Sequence, residues 1–235
     1  MASKGAGCSV AGGNYERQIA AICRGLRSPH TFRALCTQKD EDLGGSSADI
    51  DIKLNWVVSG DVGIEAKKWS PDWMQCSIHK SAGGWTGSEK AKIPVGCKRI
   101  FETLINGRDL YKGAVPLLKH ADETAWKKYK KDNPELTRDQ YFNCEPDTIS
   151  RLYREKGCHY IQVGSGFGLY HTGDDVCEFG VPYFECKQRI RIRIKIHEKG
   201  KSLSFTAAAQ PISRKVLTAS PYSLDSADKL PLVLR

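Results

Sequence analysis

The sequence predicts an α/β protein: a mixed β-sheet flanked by helices, with a β-rich lobe toward the C-terminus. Three observations predict it. Tyr15, Ile19, Ile22, Cys23 and Leu26 recur at the spacing of one helix face. Residues 50–53 and 64–67 alternate apolar and charged positions with period two, the mark of half-buried strands. Residues 189–197, RIRIRIKIH, alternate strictly, with four isoleucines on one face and Arg189, Arg191, Arg193, Lys195 and His197 on the other.

Taken in order, residues 1–13 are small and polar and read as a flexible arm. Asn14 caps a helix that Gly25 and Pro29 bring to an end. Thr31 to Cys36 reads as a strand. Asp49 to Lys53 and Ile64 to Lys67 read as two strands of a hairpin turning at Ser59-Gly60-Asp61. Ser70 and Pro71 carry a helix-start signal for the SPDWMQCSI segment. Further helices are expected around Lys98 to Ile105, Asp122 to Lys131 and Asp147 to Lys156, the last closed by Gly157. His159 to Val163 is a strand, followed by a Gly164–Gly168 bend, and Ser202 to Ala208 pairs back on the basic strand. The expected organisation is an arm at 1–13, a core at 14–130, a β-rich lobe at 131–217 and a loosely held tail at 218–235.

Composition narrows the class. Hydrophobic residues at 40% suffice for a packed core, and no run approaches the roughly 20 apolar residues of a membrane span. The N-terminal residues lack the apolar centre of a signal peptide. Nine cysteines, an odd number without disulfide rhythm, fit reduced thiols in a cytoplasm, or a nucleus in a eukaryote. The 36 basic against 27 acidic residues give +9, which favours polyanions through phosphate contacts and counterion release.

The chemistry concentrates in GGSSADIDIKLNWVVSGDVGIEAKKW, residues 44–69. Residues two apart on a strand share a face, so Asp49 and Asp51 point one way and Glu65 and Lys67 share a face on the next strand. Ile50, Ile52, Ile64 and Ala66 take the core side. Folding the hairpin gathers carboxylates and an ammonium, a sensible site for a hard divalent cation beside a lysine that holds a water. The competing reading is plain solvation: a Glu-x-Lys tripeptide arises by chance, and a second one, Glu185-Cys186-Lys187, follows Asp174-Asp175.

Context favours chemistry at the first. A helix carrying Glu16 within NYERQIAAI, a strand, an Asp-bearing strand and Ile-Glu-Ala-Lys follow one another. This order resembles the PD-(D/E)xK nuclease superfamily, and residues 14–67 are similar to archaeal Holliday-junction resolvases and restriction-type enzymes within it. The resemblance implies a restriction-endonuclease-like fold and Mg²⁺-dependent hydrolysis of phosphodiester bonds in double-stranded DNA, with Mn²⁺ as substitute cation. It implies metal ligands at Asp49 or Asp51 and at Glu65, a water-positioning role for Lys67, and a completing role for Glu16. No proline precedes either aspartate, since Ala48 and Ile50 stand there. Spacing to Glu65 favours Asp51 and the preceding Gly-Ser loop favours Asp49.

DNA contacts are expected from Lys68, Gln75, Lys127 and Lys128, and from Arg189, Arg191, Arg193 and Lys195 on an exposed basic face. The bland alternative for that face is a charged sheet edge guarding against aggregation. A homodimer would let two sites cut both strands. A structure-selective junction or repair nuclease, an RNA-processing nuclease and a non-catalytic DNA-binding protein stand as alternatives. The glycine bend lacks nucleotide-cradle spacing, and the scattered Cys and His residues lack a Cys-x-x-Cys pair for zinc.

Overall fold

The computed structural model describes residues 4–25, 50–53, 61–68, 72–81, 84–88, 93–108, 110, 123–196, 203–216 and 218–235. The strand expected at 31–36, the Ser59–Gly60 turn and Asp49 lie outside them. The described residues form a mixed α/β structure with two β-sheets and five α-helices. The chain divides into two compact units, residues 1–71, 146–187 and 213–235 in one, and 72–145 and 188–212 in the other. The expected boundary at 130/131 does not coincide with this interleaved division. Among the described residues no helix is long and apolar enough to cross a membrane.

The first unit is built on a four-stranded sheet ordered β1-β2-β6-β7, from β1 (Ile50–Lys53), β2 (Asp61–Lys67), β6 (Cys158–Val163) and β7 (Gly168–His171). β1 pairs antiparallel with β2, as the hairpin predicts, whereas β2 and β6 are parallel. Ahead of the sheet comes α1 (Lys4–Gly25). It begins well before the expected Asn14, so much of the supposed arm is helical. No proline interrupts 4–13, and the roughly 1 kcal/mol helix penalty of each glycine is outweighed once the following turns are packed. Tyr15, Ile19, Ala20 and Cys23 bury against Val62, Ile64 and Ala66 of β2, with Tyr160 and Leu169 beyond.

The C-terminal residues also join this core. Leu224, Leu230 and Leu234 are buried in it, and the Leu224 amide donates to Gln162 Oε1 at 2.8 Å. The loosely held tail is therefore corrected: apolar spacing too irregular for a helix or strand still supplies three core side chains. The 164–168 bend has a structural reason for its glycines. Gly166 and Gly168 adopt φ of +86° and +106°, and a Cβ at Gly168 would collide with the Tyr222 carbonyl oxygen.

The second unit holds a five-stranded sheet ordered β4-β3-β9-β8-β5. Its strands are β3 (Trp73–Ser81), β4 (Gly84–Gly87), β5 (Gln140–Asn143), β8 (Cys186–Ile196) and β9 (Leu203–Val216). The helix expected from Ser70 is instead β3. Trp73, Cys76 and Ile78 are buried and pair with β9 through a bulge at which Met74 takes a φ of 47°. Long-range pairing overrides the local start signal. α2 (Val95–Asn106) packs on β3 and β4 through Cys97, Phe101 and Ile105. α3 (Glu123–Asp132) and the single turn α4 (Pro134–Thr137) precede β5.

Candidate functional site

β2 runs between β1 and β6, and a bulge in β6 sets which residues meet. Gly63 faces Cys158 while Ile64 faces Tyr160, and His159 Nδ1 accepts the Gly63 amide at 3.1 Å. The register then places Glu65 opposite Ile161 and Lys67 opposite Val163. On the other side Asp51 stands opposite Gly63, so its position has the parity of Glu65 and Lys67. The predicted row on the hairpin is thus present in the backbone, with Asp49 outside the described residues.

Glu65 is 1% exposed. Lys67 Nζ lies 2.5 Å from its Oε1, and Lys156 Nζ lies 2.7 Å from its Oε2. The Cys158 thiol also approaches Oε2, at 3.5 Å. α5 (Thr148–Glu155) delivers Lys156 from its C-terminal end, and its Tyr153 ring sits 5.7 Å from the Lys67 ammonium and 5.8 Å from that of Lys156. Burial alone would push the Glu65 carboxyl up, but the two ammonium groups outweigh it and hold the group below its usual range. Glu65 is therefore ionised and clamped from both oxygens.

Glu16 completes the picture from α1. Its Oε2 is buried with no hydrogen-bond partner. Burial raises its carboxyl above the ordinary value and the Glu65 charge adds to the rise, against the lowering charges of Lys67, Lys156 and Arg17. A half-buried carboxylate with an unsatisfied oxygen is costly, so the position favours a proton or an added cation. Glu16 on α1 lies close enough to Glu65 on β2 to feel its charge, and the β1 register puts position 51 in the same row. Among the described residues, no group of three or more His, Cys, Asp and Glu side chains is placed to hold a metal.

The other predicted residues fall elsewhere. Lys68 is exposed just after β2. Gln75 is exposed on β3, on a strand rather than the helix expected there. Lys127 and Lys128 are exposed on α3. Glu185 and Lys187, the rival pair, stand at the entrance to β8, Glu185 half-buried and Lys187 exposed. Asp175 is consumed structurally, accepting from the Tyr160 hydroxyl at 2.7 Å and from the Gly180 amide at 2.7 Å.

The basic face of β8 departs from expectation. β8 lies between β9 and β5 rather than at an edge. Arg191 is 5% exposed and pairs with Asp72 at 3.0 Å. The Arg189 guanidinium donates to Gln210 Oε1 at 2.9 Å, and Gln210 donates in turn to Asp72. Arg193 forks onto Asp139, Nε to Oδ1 at 2.8 Å and Nη2 to Oδ2 at 2.5 Å. Arg189, Arg191 and Arg193 each have a side-chain partner, so an open cationic face is corrected to a paired one, with Arg193 still 38% exposed at its side chain. The Lys195 side chain lies outside the described ones.

Lys156 and Tyr153 were not singled out from the sequence. The one available signal was a lysine at the end of a helix leading straight into a strand, and it acquires meaning only with the β2–β6 pairing. No family model, no curated protein and no solved structure matches this chain.

Proposed function

We propose that the protein is a Mg²⁺-dependent endonuclease hydrolysing double-stranded DNA, with restriction- or homing-type specificity and a homodimer bringing two sites to two strands. The observation that carries this reading is the unsatisfied Glu16 carboxylate oxygen beside the Glu65–Lys67 pair. Glu16, Glu65 and Asp51 (or Asp49) would hold the cation, which Mn²⁺ could replace. When bound, a divalent cation supplies positive charge at the scissile phosphate and lowers the pKa of a coordinated water.

The chain's own groups supply the rest. Lys67 Nζ, 21% exposed at its side chain, is the ammonium at this site with access to solvent, and it orients the attacking water while pairing with Glu65 Oε1. Lys156 Nζ holds Oε2 from the buried side, keeping Glu65 ionised and in one orientation. Glu16, with one buried carboxylate oxygen unpaired, is the group at which an added positive charge would be met.

The test is cleavage of supercoiled plasmid with Mg²⁺ by wild type, Glu65→Gln and Glu185→Ala. Loss with Glu65→Gln and retention with Glu185→Ala supports the reading, and discrete fragments would add sequence specificity. A wild type that binds the plasmid and never nicks it with Mg²⁺ or Mn²⁺ would sink it in favour of a non-catalytic binding protein, and cleavage confined to four-way junctions would make it a structure-selective nuclease.

A further inference from the structure

The second unit carries a cleft of about 610 Å³ lined by Lys130, Arg138, Asp139, Gln140, Tyr141 and Arg193. We propose that this cleft binds single-stranded nucleic acid, stacking one unpaired base on Tyr141 and seating the adjoining phosphates on Lys130, Arg138 and Arg193. It rests on the nucleic-acid half of the function proposed above and is independent of the hydrolysis.

Charge is the first argument. Three cations line the cleft against one carboxylate, and that carboxylate is already claimed by Arg193. Burial alone would raise Asp139, but the hydrogen bonds and charge of Arg193 hold it below its usual range, so it remains a fixed counter-charge. The fork pins the Arg193 guanidinium in place with its side chain still 38% exposed. A pinned, planar, partly open guanidinium is a ready phosphate ligand.

Tyr141 is the second. It sits on the edge strand β5 and is 48% exposed, one of the few large apolar side chains left open among the described residues. The Arg189 guanidinium carbon lies 3.8 Å from its ring centroid, which orients the ring by cation–π attraction. A ring held this way is a stacking platform, and every base has a π-face to lay against it. In a duplex both faces of a base are occupied by neighbouring bases, so such a platform selects unpaired nucleotides.

The short turn that leads into Arg138 is already fixed. The Thr137 hydroxyl donates to the Asn133 carbonyl at 2.9 Å, the Asn133 side chain donates to the Tyr129 carbonyl at 3.1 Å, and the Arg138 amide closes α4 onto the Pro134 carbonyl at 2.9 Å. A fixed backbone at one lining residue lowers the ordering cost of binding. The volume falls within the range of sites that take one nucleotide-sized group.

The test is fluorescence anisotropy with a labelled 12-mer of oligothymidylate and a duplex of equal length, in EDTA so that nothing is cut. Wild type, Tyr141→Ala, Tyr141→Phe and Lys130→Ala are compared, with thermal melts confirming the fold. Wild type should prefer the single strand. Tyr141→Ala should weaken it about five- to hundredfold, Tyr141→Phe should retain it, and Lys130→Ala should flatten the salt dependence by about one counterion. Single-strand binding untouched by Tyr141→Ala, or a duplex bound more tightly than the single strand, overturns this cleft while leaving the nuclease reading standing. Binding of neither probe in EDTA overturns the cleft, and the plasmid assay with Mg²⁺ then decides the nuclease reading by itself. Intact oligonucleotide binding beside an inert plasmid assay supports the cleft and counts against hydrolysis alone.

Discussion

In the first unit one buried carboxylate, Glu65, is met by two ammonium groups; in the second, three arginines along β8 are met by Gln210, Asp72 and Asp139. Both arrangements place charge where water is scarce, and each must offset the desolvation with partners. They differ in what is left over. The arginine row has a side-chain partner at each guanidinium but leaves the Nε of buried Arg191 without one. The Glu65 cluster leaves a carboxylate oxygen of Glu16 without a partner. A leftover N–H calls for an acceptor, whereas a leftover carboxylate oxygen calls for a proton or a cation.

Breaking each network should therefore give different signatures. The largest effect is expected from Lys156→Met, which leaves the fully buried Glu65 with Lys67 alone. It should cost about 3–4 kcal/mol in urea denaturation and abolish any plasmid cleavage. Asp72→Ala strips the ion-pair partner from buried Arg191. Because Asp72 is itself partly exposed, about 2–3 kcal/mol is expected, with Mg²⁺-dependent cleavage retained. Equal effects of both substitutions on cleavage would erase the distinction between the two networks.

The smallest effect concerns Glu16 and is one of pH. Its folded carboxyl titrates above the unfolded value of 4.5, so its contribution is fully present below that pH and is lost as pH rises through the folded value. Glu65 is depressed, so its contribution is present above 4.5 and lost as pH falls through its folded value. Glu16→Gln should match wild type in urea midpoint near pH 4 and exceed it at pH 8. A variant less stable than wild type at pH 8 would show that Glu16 is a structural group and not a site awaiting a cation.

Much of the first unit was legible in the chain. Period-two alternation located β1 and β2, their antiparallel hairpin pairing, and the shared parity of Asp51, Glu65 and Lys67, although Asp61, read as part of the turn, is paired with Lys53 inside β2. Helical spacing gave α2, α3 and α5 to within a few residues. What escaped depends on partners distant in sequence. β3 read as a helix because its pairing with β9 cannot be seen from SPDW, and the arginine face read as open because Asp72 and Asp139 are brought over it only by the fold. Lys156 was invisible for the same reason, as it reaches Glu65 across 91 residues. Leu224, Leu230 and Leu234 lack any period in the sequence, so only the fold shows them as core.

That separation of Glu65 from Lys156 has a consequence for synthesis of the chain. The acid is made early, and its second ammonium emerges only after the whole 72–145 segment of the other unit has been translated. The Tyr15 hydroxyl likewise waits for Asp225, 210 residues later. Strand pairing over such distances is slow to nucleate, because loop closure precedes its reward. A ribosome-bound chain that has not yet reached Lys156 holds Glu65 with one lysine at most, so the buried charge cluster is completed only late in synthesis.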